Sequence, residues 1–232
     1  MELILSYSKC PKCDTIISYI DMISGNTIDG EIWSDGMIES SMFYNVLKYN
    51  KCSNCNSFYW LSDNLIKEPE NFENINRIEE SFDFENLYKP MIDNAIEALQ
   101  SGVANSEEKE IFIRIKLWQS INNLIRHSKN RSFGRKLYCI FFKSKEEKIN
   151  YKLYVSYIET KNQNLQKLAF LLQNSIFTND YLIICEIYRE LGRFEDAKLW
   201  LKKIENKSSF SKKRLSALRK KILFKNKMVY SY

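Results

Sequence analysis

Cys10-Pro11-Lys12-Cys13 and, after 38 intervening residues, Cys52-Ser53-Asn54-Cys55 decide how the N-terminal part of this chain folds. Two residues between paired thiols let both sulfurs reach one ion at about 2.3 Å, on a turn tight enough to aim backbone amides at the thiolates. Two such pairs close a tetrahedral site. The spacing therefore predicts one structural Zn²⁺ held by Cys10, Cys13, Cys52 and Cys55, with Pro11 stiffening the first turn. Asp14 stands where many zinc ribbons place glycine, and aspartate tolerates the left-handed backbone of such a turn less well than glycine does. A catalytic zinc keeps one position open for water and commonly uses histidine or a carboxylate. The single histidine, His127, lies far along the chain, so the metal is expected to supply folding energy and not chemistry. The competing reading is two unrelated pairs of buried thiols.

Residues 2–7 and 15–20 are rich in Leu, Ile and Tyr, and Ser57-Phe58-Tyr59-Trp60-Leu61 follows the second cysteine pair, so short strands are expected beside each pair. Between the pairs, residues 24–36 hold three of the six glycines. Asp29-Gly30 and Asp35-Gly36 are hairpin-turn dipeptides, with Glu31-Ile32-Trp33 between them as a short strand. Two readings of this insert stay open. Either it is a recognition loop presenting Asn26, Thr27, Asp29, Trp33 and Asp35, or Ile32 and Trp33 cover a ribbon too small to bury its own core.

With 232 residues, 44% of them hydrophobic, the chain can bury a sizeable core. No apolar run approaches the roughly 20 residues of a membrane span, and the first residues lack the basic and apolar regions of a secretory signal. The cytoplasm is the expected compartment, where thiols stay reduced and paired cysteines serve as metal ligands. The net charge of +6 hides an asymmetry: residues 1–110 carry 8 Lys/Arg against 20 Asp/Glu, and residues 111–232 carry 27 against 9. Either the two halves attract and partly cancel, or the basic half faces a polyanion.

Residues 63–86 turn polar and acidic and read as a connector. From Pro90 the pattern becomes helical, with Ile92, Ile96 and Leu99 at helix spacing until Ser101-Gly102. Asn105 and Glu108 predict a capping-box start, after which Ile111, Ile115, Trp118, Ile121 and Ile125 mark one buried face, with His127 as a C-terminal cap. Residues 128–134 read as a basic loop, and residues 136–157, which contain Cys139, fit either a strand or a buried helical turn. Residues 164–172 return to helix. Tyr181, Ile184, Cys185, Tyr188, Gly192, Phe194, Ala197 and Leu201 fall at the positions of a tetratricopeptide repeat, where small Cys185 and Ala197 let two helices approach. One such pair cannot bury its own faces, so a short helical array is expected around it. Residues 206–232 hold nine Lys/Arg and no acid, with Leu215, Leu218 and Ile222 along one side: a capping helix with a basic outer face. That face is either a solvated cap or a polyanion contact through Lys212, Lys213, Lys220 and Lys221, with Tyr230 and Tyr232 available to stack.

The fold class expected is α+β. A small β-rich zinc-ribbon-like head with a hairpin insert (1–62) leads through an acidic linker (63–86) to a mainly α-helical, tetratricopeptide-like domain with a basic C-terminal cap helix (87–232). The cysteine pairs, Trp33-Ser34-Asp35-Gly36, the Ile113-Arg114-Ile115-Lys116-Leu117-Trp118 run and residues 188–197 together resemble uncharacterised bacterial proteins that join such a head to tetratricopeptide-like helices. The resemblance implies the architecture and the four cysteine ligands. It implies no activity.

No nucleophile–base set stands out, so a non-enzymatic adaptor is expected, binding a protein or peptide through its helical surface. The alternative is a nucleic-acid-binding protein using the basic C-terminal half. An enzyme would need a site built from carboxylates such as Asp29, Asp35 and Glu39 with a second metal, and their spacing does not single them out.

Overall fold

A computed structural model of the chain describes residues 2–27, 30–40, 48–68, 75–77, 88–126, 145–174, 177–205 and 211–232. Asp29, His127, Cys139 and the basic loop 128–134 lie outside the described residues.

The head is built on hairpins. Strands β1 (Glu2–Lys9) and β2 (Ile16–Ser24) pair antiparallel across the first cysteine turn, from Lys9 opposite Ile16 to Leu3 opposite Met22. Strands β3 (Glu31–Ile32) and β4 (Ile38–Glu39) form the insert hairpin, closed at Asp35-Gly36. Gly36 takes the left-handed φ of 77° that this turn requires. Strands β5 (Tyr49–Lys51) and β6 (Phe58–Trp60) pair across the second cysteine turn. Two further strands were not legible as such. β7 (Leu65–Ile66) joins the free side of β1 and β8 (Ile75–Arg77) runs parallel to β2, so the order is β7-β1-β2-β8. Both fall within the acidic stretch read as a connector, because runs of two and three residues are too short to show a two-residue period. Ser8, fully buried, donates its hydroxyl to the carbonyls of Leu61 and Asn64 and so fixes the turn that leads into β7.

Seven helices follow among the described residues: α1 (Tyr88–Gln100), α2 (Glu107–Arg126), α3 (Lys145–Ser156), α4 (Ile158–Leu172), α5 (Thr178–Glu190), α6 (Phe194–Glu205) and α7 (Lys212–Leu223). α2 starts one residue later than its capping pattern predicts: Ser106, not Asn105, caps it, accepting a hydrogen bond from the Lys109 N–H. The expected single buried face of α2 is too narrow. Ile113, Leu117, Ile121 and Leu124 pack with α1, Trp33 and Trp60, while Trp118 packs with α4 and α5. α2 is thus wrapped on two sides. α5 and α6 form the helical hairpin that the repeat pattern predicts, turning at Gly192 with φ 79°. Cys185 and Ala197 are fully buried at their crossing, where the Cys185 thiol donates to the Ala197 carbonyl at 3.1 Å. α7 covers the far side of this hairpin with Leu218 and Ile222.

The segment after α7 does not trail away. It returns to the head, where Trp33 forms an antiparallel bridge with Ser231, Ser34 donates its N–H to the Tyr230 carbonyl and Tyr232 donates its N–H to that of Ile32. Val229 and both head tryptophans, Trp33 and Trp60, share one hydrophobic cluster with α1, α2 and Tyr154 of α3. No helix among the described residues is long and apolar enough to cross a membrane.

Candidate metal centre and the charged core behind it

The two cysteine turns are built alike. Cys10 donates its N–H to the Thr15 carbonyl at 2.9 Å and receives the Asp14 N–H at 3.0 Å; Cys52 does the same with Ser57 and Asn56, both at 2.9 Å. Asp14 (φ 61°) and Asn56 (φ 58°) occupy the left-handed corner of each turn, so the departure noted at Asp14 is absorbed there and recurs in the second turn. The pair of turns brings four sulfurs together. All lie within 4.8 Å of one another, with Cys10 to Cys55 at 3.6 Å and Cys13 to Cys52 at 3.5 Å. A tetrahedron of sulfurs at about 2.3 Å from one ion has edges of about 3.8 Å, so the spacing fits a bound metal and is far longer than the roughly 2.0 Å of a disulfide.

The surroundings of the sulfurs divide them. Burial pushes the Cys10 thiol up to about 12, against the backbone N–H groups of Lys12 and Cys13 that point at it. Hydrogen bonds from Thr15 bring Cys13 down to about 6, and those from Ser57 lower Cys55. Thr15 and Ser57 occupy the same place, two residues beyond the second cysteine of each turn. The Thr15 hydroxyl lies 3.1 Å from the Cys13 sulfur. Overlaying Cys-x-x-Cys-Asp-Thr on Cys-x-x-Cys-Asn-Ser would have exposed both hydroxyls in the sequence. Four soft donors with hydroxyl and amide support are the chemistry of a closed site that can hold one metal ion.

Behind the head lies a second assembly, invisible to sequence reading. Asp35, at the tip of the insert, is 2% exposed. Its carboxylate receives the two terminal guanidinium nitrogens of Arg126, at 3.1 and 2.8 Å, and the Asn122 amide at 2.9 Å. Gln119 donates to its backbone carbonyl. Asn122 also accepts from Lys161, which pairs with Glu190 at 2.7 Å, and Glu190 takes the Trp118 N–H at 3.0 Å. Arg189 bridges Glu190 and Glu186, and Glu186 accepts the hydroxyls of Tyr230 at 2.7 Å and Tyr232 at 2.9 Å. One continuous hydrogen-bonded chain therefore runs from the insert through α2, α4 and α5 to the segment after α7. Burial pushes the Glu190 carboxyl up, but Lys161 and Arg189 outweigh it and hold it below its usual range. For Glu186 burial wins, and the carboxyl is raised. Burial against Glu186 likewise raises both tyrosine hydroxyls.

The other predicted partner residues separate. Trp33, 1% exposed, lies under the Arg126 guanidinium at 4.7 Å, so Trp33 and Asp35 are inside the molecule and not on a recognition surface. Asn26 is half-buried, and its carbonyl accepts from the Ser40 hydroxyl at 3.4 Å. Asp35 and Glu39 flank the Arg126 cation, at 2.8 and 3.7 Å, which is an ion-pair arrangement and not that of a second metal. Lys212, Lys213 and Lys220 are exposed on α7; Lys221 lies over the Tyr230 ring at 4.8 Å. Tyr230 and Tyr232 are engaged inside rather than available to stack.

Compared with family models, with curated proteins and with solved structures, the chain matches none. A cysteine cluster followed by helices is the part of the bacterial resemblance that the geometry carries.

Proposed function

We propose that the chain is a non-enzymatic, zinc-stabilised adaptor that holds a protein or peptide partner on its helical surface. Zinc is the ion that a closed four-sulfur tetrahedron in a reducing compartment such as the cytoplasm serves best, and it adds no redox chemistry. The observation that carries the adaptor reading is the buried chain of charges. Asp35, Arg126, Lys161, Glu186, Arg189 and Glu190 are paired with one another, so the groups able to do acid–base work instead fasten head to helices.

This arrangement also narrows where a partner sits. The insert and the segment after α7 already occupy the side of α2, α4 and α5 that faces the head. An outer face of α3 and α4 carries Tyr151, Val155 and Ile158, exposed at four- and three-residue steps. Such a stripe fits a partner with an apolar face of its own. The test is a pull-down with the tagged wild-type chain beside a Val155→Asp/Ile158→Asp variant of unchanged helical content. A protein retained by the wild type and lost from the variant supports the reading; identical recoveries from both, or none from either, refute it.

A further inference from the structure

We propose that α6 and α7 form a second, separate surface that binds the phosphodiester backbone of nucleic acid without sequence preference. Residues 198–227 contain twelve Lys/Arg and a single acid, Glu205, and the two acids that open α6, Glu195 and Asp196, pair with Lys198 and Arg193. Glu205 is already taken by Arg219. The structure sorts the remaining cations by whether they are engaged. Arg214 lies over the Tyr232 ring at 4.4 Å, Lys221 over Tyr230, Lys203 over Trp200 at 3.8 Å, and Lys198 pairs with Glu195 at 2.7 Å. Lys202, Lys212, Lys213, Lys220, Lys225 and Lys227 are exposed and have no ion-pair partner among the described residues, and Lys207 lies outside them. A solvated cap needs polar side chains, but it does not need them all of one sign. Lys212, Lys213 and Arg214 fill the first turn of α7 with the charge that a helix dipole disfavours there. An extended polyanion relieves both costs.

The kind of polyanion follows from what the face lacks. The apolar stripe of α7 is used inside, Leu215, Leu218 and Ile222 packing on α5 and α6. Only Leu199, Leu223 and Phe224 project as large apolar side chains from these two helices and the residue after them. Three side chains, two of them adjacent at the end of α7, do not make the broad apolar face with which a helix enters a lipid headgroup layer. Lysine is depleted at protein–protein contacts, whereas phosphate contacts are made by it routinely. The free cations are all lysines, point charges without the bidentate fork that reads a base edge, so sequence preference is not expected.

The test uses fluorescence anisotropy on the full chain with labelled single strands of RNA and of DNA, each about 20 nucleotides and so longer than one binding site. Four lysines on a single strand imply affinity falling about 50-fold between about 50 and about 200 mM salt. A Lys202→Gln/Lys212→Gln/Lys213→Gln/Lys220→Gln variant is expected to lose at least tenfold in affinity at about 50 mM salt, with a much shallower salt dependence and an unchanged circular dichroism spectrum. The control neutralises as many exposed lysines elsewhere, Lys67, Lys148, Lys152 and Lys167, and is expected to bind like the wild type. The proposal is overturned if neither strand binds at about 50 mM salt, or if the control loses as much as the α6–α7 variant. Binding to vesicles containing phosphatidylserine with no binding to either strand overturns it as well.

Discussion

At the scale of single residues, Asp35 is the instructive case. Its sequence neighbours place it in a hairpin turn, where aspartate is ordinary, yet the fold drives its carboxylate into the helices against Arg126. Nothing within ten residues of either one announces the pair; it exists because the insert and α2 meet. Removing one member of a fully buried pair strands the other charge, at a cost of about 3–5 kcal/mol. Asp35→Asn is therefore expected to lower unfolding free energy by roughly that amount, read by urea denaturation. Glu190 gives the matching pH experiment. Its carboxyl is held below its usual range, so its contribution is complete above the unfolded value of about 4.3 and disappears as pH falls through the lower folded value. Glu190→Gln is expected to be less stable than the wild type at neutral pH, with the two melting curves converging as pH drops below about 4. Curves that stay parallel would remove Glu190 from the acid limb. The cysteines were readable from spacing alone, and their supporting hydroxyls only by overlaying the two turns, because Thr15 and Ser57 are common residues that acquire meaning only beside a sulfur. Thr15→Val is expected to weaken metal binding about tenfold or more in a chelator competition, since outer-shell partners commonly contribute 10–100-fold.

At the scale of elements, the helical hairpin of α5 and α6 was legible because its pattern states its own mechanics: small residues at the crossing, glycine at the turn. Gly192 sits at φ 79°, where a Cβ would also press on the Lys227 side chain, itself flexible and exposed. Gly192→Ala is expected to cost about 1–2 kcal/mol from the left-handed backbone, measured as a drop in the denaturation midpoint. α2 was legible as a helix but not as a helix wrapped on two sides. A periodic apolar stripe reports one buried face, and the second contains Gln119, Asn122 and Arg126, which hydropathy assigns to water. The segment after α7 was unreadable for a related reason. Two tyrosines among lysines look exposed until Glu186 is found beneath them. Their pairing with the insert makes a specific demand on dynamics: removing residues 229–232 should speed amide hydrogen exchange at Trp33 and Ser34 while leaving exchange in α6 unchanged.

At the scale of the whole molecule, two closures hold the chain together. Four sulfurs meet in the head where they can hold one metal ion, and the buried charges close the head on the helices. The acidic and basic halves do meet, as the charge asymmetry allows, but the decisive meeting is one buried pair, Asp35 with Arg126, and not a general attraction of surfaces. This is why α+β with a cysteine-bounded head could be read from the sequence, while the union of head and array into shared packing could not. Pattern reports each element's own period, and the union depends on residues up to 200 positions apart, as with the Tyr232 N–H on the Ile32 carbonyl.

The coupling of the two closures is tested most directly by measuring metal content and thermal unfolding on the same purified chain. One zinc per chain is expected, with tryptophan fluorescence and helical circular dichroism melting in a single transition that moves down as one when a strong chelator strips the ion. A chain that carries no metal at four reduced thiols, or whose helices melt at an unchanged temperature after the metal is removed, would contradict it.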